Sequence, residues 1–108
     1  MNFYPLELKR NLYNGYRNCF RYKNINLLLI QDNNTLYLIE NRCPHMDWLL
    51  DGGRVSNQTI TCPKHNINFS LTNGEANAPM RLSPLKIYAC IEENEHVGLD
   101  TDCIDIID

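Results

Sequence analysis

No run of apolar residues in this sequence approaches the roughly 20 that a membrane-spanning helix needs. The longest, INLLLI from Ile25 to Ile30, has the length of a strand. The opening stretch, MNFYPLELKR, has neither the basic start nor the apolar segment of a secretory signal. A cytoplasmic chain with no membrane association is therefore expected. Lysine and arginine are missing after Lys86, whereas residues 87–108 hold Glu92, Glu93, Glu95, Asp100, Asp102, Asp105 and Asp108. An end this acidic is unsuited to nucleic acid. It can steer a basic protein partner or act as a solvated tail that aids solubility, and the tail is the plainer reading. Also absent are a Gly-rich strand–helix unit for a nucleotide, a flavin fingerprint and a facial triad for mononuclear iron, so nothing points to substrate turnover. The chain has 108 residues, 44% of them hydrophobic and 21% charged. That composition suits a single folded domain over 1–108 and excludes a disordered chain.

Sustained helical periodicity is missing as well, and what replaces it is short strand signals separated by turn chemistry. Tyr16 to Tyr22 (YRNCFRY) follows an Asn14-Gly15 turn. Ile25 to Gln31 and Leu36 to Asn41 flank DNNT, whose Asp and Asn residues tolerate the left-handed backbone of a hairpin loop. Leu85 to Glu93 (LKIYACIEE) and His96 to Asp100 (HVGLD) flank Glu93-Asn94-Glu95, which predicts a second hairpin. The sheet is thus expected to be built from both ends of an all-β chain. Between the hairpins, residues 42–84 contain Gly52-Gly53, Asn73-Gly74, Pro44, Pro63, Pro79 and Pro84, with one short strand candidate, Gln58 to Thr61. This region reads as too irregular for a core and too long for a passive connector, and loops of that kind carry function.

Its content supports that view. Histidine is scarce, three residues in all, yet two of the three fall here in the pattern Cys43-Pro44-His45, sixteen residues, Cys62-Pro63-Lys64-His65. Five cysteines is an odd number, and in a reducing compartment they are metal ligands or buried thiols rather than a disulfide framework. Two Cys/His pairs on two loops can supply four ligands to a pair of sulfide-bridged irons, two thiolates on one and two neutral imidazoles on the other. Such a mixed set carries less negative charge than four thiolates and accepts an electron at a higher potential. The same four residues suffice for structural zinc, although the common zinc spacings are C-x₂₋₄-C with H-x₃₋₅-H and not this interleaving. A fold retained without any metal is the third reading. Pro44 and Pro63 fix φ next to each cysteine and stiffen the loops. Cys19 and Cys90 sit in alternating strands and read as small core residues or silent thiols, Cys103 as an exposed thiol, and His96 as a surface residue. Trp48 can shield a metal from water or pack under its loop.

From about Leu36 to Leu99 the sequence resembles the Rieske-type [2Fe–2S] proteins, and the four-ligand motif is highly specific. The resemblance implies an antiparallel β-sandwich with a two-loop cluster-binding subdomain, the loops lying at about 42–50 and 62–70 under a covering loop near 74–80. It implies one [2Fe–2S] cluster per chain, with Cys43 and Cys62 on one iron and His45 and His65 on the other. Leu50, Asp51 and Gly53 resemble the Leu, acidic residue and Gly that follow the first family loop. Phe69 and Asn73-Gly74 resemble the Phe and turn after the second, and Pro79 resembles the proline of the covering loop. The departures are informative. High-potential members of the respiratory kind join the two loops by an extra disulfide, and this chain has Trp48 and Lys64 at those places. Where such members place Ser and Tyr hydroxyls near sulfur it has Ile67 and Phe69, and where a Gly follows the second histidine it has Asn66. An Asn there is the least costly replacement if the position needs positive φ. The aromatic common at the Lys64 position is missing, and Lys64 and Arg42 put positive charge near the tip.

The function implied is a ferredoxin component that is not catalytic alone. It would carry one electron from a flavin-dependent reductase to a terminal oxygenase or another redox protein. A different class, a small non-catalytic Rieske-like subunit or redox-sensing module similar to the small subunit of assimilatory nitrite reductase, would show a large apolar surface patch instead. A Rieske domain belonging to an oxygenase itself is less in keeping with a chain of this extent. If both histidines are ligands, His45→Cys or His65→Cys adds anionic charge to the site. In any variant that still assembles a cluster, redox titration should then give a lower midpoint than wild type.

Overall fold

The computed structural model of the chain describes residues 2–44, 48–64, 66–77 and 83–104. Among these the regular elements are strands and two 3-10 turns, in the order β1 (Phe3–Leu8), β2 (Arg17–Tyr22), β3 (Ile25–Asp32), β4 (Thr35–Glu40), β5 (Arg54–Ser56), β6 (Thr59–Thr61), β7 (Asn68–Ser70), β8 (Ala76–Asn77), β9 (Ile87–Tyr88), β10 (Cys90–Glu93) and β11 (His96–Asp100). All pairing is antiparallel. Three sheets result, ordered β1-β11-β10, β2-β3-β4-β9 and β5-β6-β7-β8. The expectation of an antiparallel all-β chain is met. No helix among the described residues is long and apolar enough to cross a membrane.

The INLLLI run explains how the sheets stack. Successive side chains of a strand point to opposite faces, and Leu27, Leu28, Leu29 and Ile30 are all buried. Leu28 and Ile30, with Tyr37 and Ile39 of β4, join one core with Ile60 of β6 and Phe69 of β7. Leu27, Leu29 and Leu38 join another with Val97 and Leu99 of β11. The β2-β3-β4-β9 sheet is therefore a central layer with cores on both faces, and a strand in that position has no solvent face to keep polar.

Three hairpins close with the same device, two residues of positive φ between paired strands: Asn33-Asn34 (51° and 64°), Asn57-Gln58 (51° and 61°) and Asn94-Glu95 (52° and 63°). This backbone matches the right-handed twist of the flanking strands, and Asn leads each turn because it tolerates the left-handed region at least cost. The first and third are the hairpins predicted from the sequence.

Several expectations are corrected. The middle region is not too irregular for a core: β5 to β8 form the third sheet, and Leu50, Ile60, Phe69, Leu71 and Leu85 are wholly or almost wholly buried. The two hairpins do not share a sheet. The stretch read as one strand from Leu85 divides, so that β9 pairs with β4 while β10 pairs with β11. Over its described residues, 87–104, the acidic end is structured rather than a solvated tail, because β11 pairs with the unanticipated β1, and Lys9 Nζ lies 3.1 Å from a Glu92 carboxylate oxygen. Cys19 is exposed rather than in the core, whereas Cys103 is half-buried against the second core. His96 is also half-buried, its Nδ1 lying 3.0 Å from the Asn94 carbonyl.

Pairing of β1 shifts register between Pro5 and Glu7. Proline cannot donate to a ladder, which confines it to edges and irregular positions; β1 is such an edge. Beyond it, Glu7 accepts hydrogen bonds from Asn11 and from the Tyr16 hydroxyl (3.0 and 2.7 Å), which hold its carboxyl below the usual range.

Phe69 is the largest of the wholly buried side chains in the core beneath the loops. Phe69→Ala should lower the unfolding free energy by about 3–5 kcal/mol through lost burial and the cavity left behind, read as a shift in the urea midpoint.

Candidate metal centre

Two loops leave the third sheet and its junction with the central layer, and each begins at a cysteine. The first follows β4. The Cys43 amide donates to the Trp48 carbonyl at 2.6 Å, closing a six-residue loop. The second joins β6 to β7, and the Cys62 amide donates to the Ile67 carbonyl at 2.9 Å, closing another six-residue loop by the same connection. Asn66 donates its amide back to the Cys62 carbonyl at 2.9 Å. Its φ of 57° is the positive value that an Asn in place of Gly suggested.

Both thiols face inward. Cys43 and Cys62 are 0% exposed and belong to the same apolar core, with Ile39, Leu50, Ile60 and Phe69. The chain turns outward beyond them: Pro63, Lys64, Asn66, Trp48 and Leu49 are exposed. His45, His65 and Pro79, the remaining expected ligands and the proline of the covering loop, lie outside the described residues. Among the described residues no three His, Cys, Asp or Glu side chains group to hold a metal. Of the four expected ligands, the described residues include Cys43 and Cys62.

The first loop is held by polar contacts that sequence reading did not find. Asn41 is only 4% exposed, and its Oδ1 accepts the Leu50 amide at 2.8 Å. Its Nδ2 reaches Asp51 Oδ1 and Cys19 Sγ, each at 3.5 Å. From β2, the Arg17 guanidinium donates to the Asp51 carbonyl at 2.7 Å and to the Gly53 carbonyl. Gly53 itself packs so close to the Thr61 backbone that any Cβ there would collide with it. The backbone of residues 50–53 is thereby fixed against the third sheet. Arg17 has no local signal, since its partners lie more than thirty residues away. Asn41 carries no distinctive local signal either, since it follows the charged Glu40 at the end of β4.

Trp48 does not pack under its loop. It is 46% exposed, and Lys64 Nζ lies over its ring at 4.9 Å from the centroid. The two residues that stand where the respiratory kind has a disulfide are thus in contact with each other. Ile67 is partly buried against the core and Phe69 wholly so; neither offers a hydroxyl. The remaining cysteines, Cys19, Cys90 and Cys103, are free thiols. Burial pushes Cys90 up to about 11 and raises Cys19 as well.

A family model described as the Rieske [2Fe-2S] domain matches residues 2–89. The chain belongs to that family. The fold is shared with two solved ferredoxins. One is the ferredoxin of carbazole 1,9a-dioxygenase from Nocardioides aromaticivorans IC177, at a TM-score of 0.80 and 21% identity over 92% of this chain and 97% of that one. The other is a Sphingomonas yanoikuyae B1 ferredoxin, at 0.80 and 24% over 92% and 98%. A further match, at 0.76 and 19% over 87% and 97%, is to a complex of reduced oxygenase and oxidized ferredoxin in carbazole 1,9a-dioxygenase. The group a Rieske domain carries is a [2Fe–2S] cluster. The donor chemistry here fits it: two cysteines wholly buried in one apolar core, each at the root of a closed loop.

The geometry at Asn66 gives a direct test. Asn66→Gly should leave stability within a few tenths of a kcal/mol of wild type, whereas Asn66→Val, β-branched in the left-handed region, should cost about 1–2 kcal/mol. Thermal unfolding of the two variants side by side measures the difference.

Proposed function

We propose that Cys43, His45, Cys62 and His65 hold one [2Fe–2S] cluster and that this Rieske domain, 1–108, is a cytoplasmic one-electron carrier rather than an enzyme on its own. It receives an electron from a flavin-dependent reductase and passes it to a terminal oxygenase or a similar redox protein. The observation that carries the reading is the matched pair of loops, each rooted on a wholly buried thiol and closed by the same amide-to-carbonyl bond. When bound, the cluster supplies one-electron chemistry. The chain's own residues hold it and set its surroundings: Cys43 and Cys62 as thiolates, His45 and His65 as neutral imidazoles, and Asn41 and Arg17 as supports of the first loop.

Surface composition favours a carrier over a permanent subunit. Among the described residues the exposed large hydrophobics are Tyr4, Tyr13, Trp48 and Leu49, and only the last two are neighbours in the chain. A stable subunit interface is larger and more apolar than that. A small patch at the tip of the cluster loops suits transient docking, and the name of one solved match, a ferredoxin in complex with its oxygenase, supports the same kind of acceptor.

The potential follows from what surrounds the sulfurs. Hydrogen bonds to cluster sulfurs stabilise the reduced, more negative state and raise the potential. Ile67 and Phe69 put hydrocarbon where hydroxyl donors would act. The midpoint is expected at the low end of the Rieske range, about −150 mV. The first experiment is the visible spectrum of the purified protein and the low-temperature EPR spectrum after dithionite reduction. A red-brown oxidised form with the low average g of a mixed Cys/His cluster supports the assignment, and redox titration then places the midpoint. A colourless or zinc-bearing protein would overturn it, and a midpoint above zero would overturn the argument about the sulfurs.

A further inference from the structure

Trp48 and Lys64 each belong to one of the two closed loops, and their side chains meet across the gap between them. Trp48 closes the first loop through its carbonyl, which accepts the Cys43 amide, while its ring receives the Lys64 ammonium at 4.9 Å from the centroid. Lys64 lies inside the second loop, between the Cys62 amide and the Ile67 carbonyl that it reaches. The backbone of residues 50–53 is fixed from below by Asn41 and Arg17. Beside the contact, Trp48, Leu49, Asp51, Gly52 and Pro63 line an open groove of about 420 Å³.

We propose that the Lys64 ammonium and the Trp48 ring form a noncovalent clasp that couples the two loops and so positions Cys43 and Cys62 relative to each other. A cation within about 6 Å of an indole face is attracted by the ring's quadrupole. The aliphatic stem of a lysine can cover apolar surface while its head stays wet. The contact thus suits a half-exposed indole. Both residues act as positioning residues, since neither is a ligand in the assignment above, and the role of the clasp at a cluster rests on that assignment. The clasp itself is a property of the chain.

Coupling between the loops is what distinguishes a clasp from two independent surface side chains. Hydrogen exchange read by mass spectrometry on peptides covering 43–50 and 62–69 measures how often each loop opens, with the peptide of β3 as internal reference. Lys64→Met and Trp48→Leu should each raise exchange in both loop peptides by about two- to five-fold, the size of an exposed cation–π contact. They should leave the β3 peptide unchanged. The double variant should exchange no faster than the faster single variant, and Lys64→Arg, which keeps the cation, should behave as wild type. Exchange that rises only in the mutated loop, or a double variant whose increase is the product of the two single ones, would overturn the clasp. The visible spectra of the same samples report separately on the cofactor. A colourless protein with coupled loops removes the cluster assignment and keeps the clasp, and a coloured protein with uncoupled loops removes the clasp alone.

Discussion

Burial of the β3–β4 hairpin on both faces is the constraint on which the rest of the molecule depends. Four successive side chains, Leu27 to Ile30, are withdrawn from water, each contributing on the order of 1.5–3 kcal/mol. Neither face of the sheet can be left open without forfeiting half of that contribution. One face is covered by β11 and its neighbours. The other must be covered by residues 50–85, a segment too rich in turn residues to make long strands. It does so with short strands of two or three residues and a few large anchors, Leu50, Ile60, Phe69, Leu71 and Leu85. The loops that begin at Cys43 and Cys62 are therefore founded on the same core that stabilises the fold.

That foundation accounts for the depth of the thiols beside the exposed Trp48, Leu49, Pro63 and Lys64. A cysteine placed at the root of a loop is pulled inward by the apolar residues on either side of it in space, as Cys43 and Cys62 are by Ile39, Leu50, Ile60 and Phe69. Polar groups complete the support where the strands end. The Leu50 amide would be a buried, unsatisfied donor without the Asn41 side chain, and such a donor costs about 1–3 kcal/mol. The Arg17 guanidinium satisfies two carbonyls of the next turn, and with no side chain at Gly53 the turn can lie against Thr61. Each contact reaches across elements, from β2 or the end of β4 to the turn before β5.

Much of this was legible in the sequence, and the parts that were not share a cause. Hairpins centred on Asn33-Asn34 and Asn94-Glu95 were readable because turn chemistry is local, and the family because the Cys/His motif that carries the resemblance is local too. The positive φ of Asn66 followed from its place after the second histidine. The strand β1 was missed because it is an edge interrupted by Pro5, and its pairing with β11 joins residues almost a chain length apart. Of the third sheet only β6 was anticipated, as the candidate Gln58 to Thr61, because strands of two or three residues are shorter than any window in which alternation can be counted. Cys19 was placed inside because Asn18, Cys19 and Phe20 alternate, but on an edge strand, β2, alternation does not say which side is covered. Asn41, Arg17 and the Lys64–Trp48 contact depend on distances that only folding creates.

The same layering governs the field at the loop tips. Net charge is −3, and most of the acidic excess lies in β10, β11 and the turns beside them. Those strands belong to the outer sheet whose core lies on the face of the central layer away from the loops. Packed sheets are about 10 Å apart, so two such spacings exceed the Debye length of about 8 Å at physiological ionic strength. Lys9 further offsets Glu92 within the outer layer. A partner approaching Trp48 and Leu49 meets a potential set by nearby groups, Lys64, Arg42 and Asp51, and not by the acidity of the whole chain. Overall charge is then a poor guide to which redox partner fits, and the sign and spacing of those few side chains around the loops are the better one.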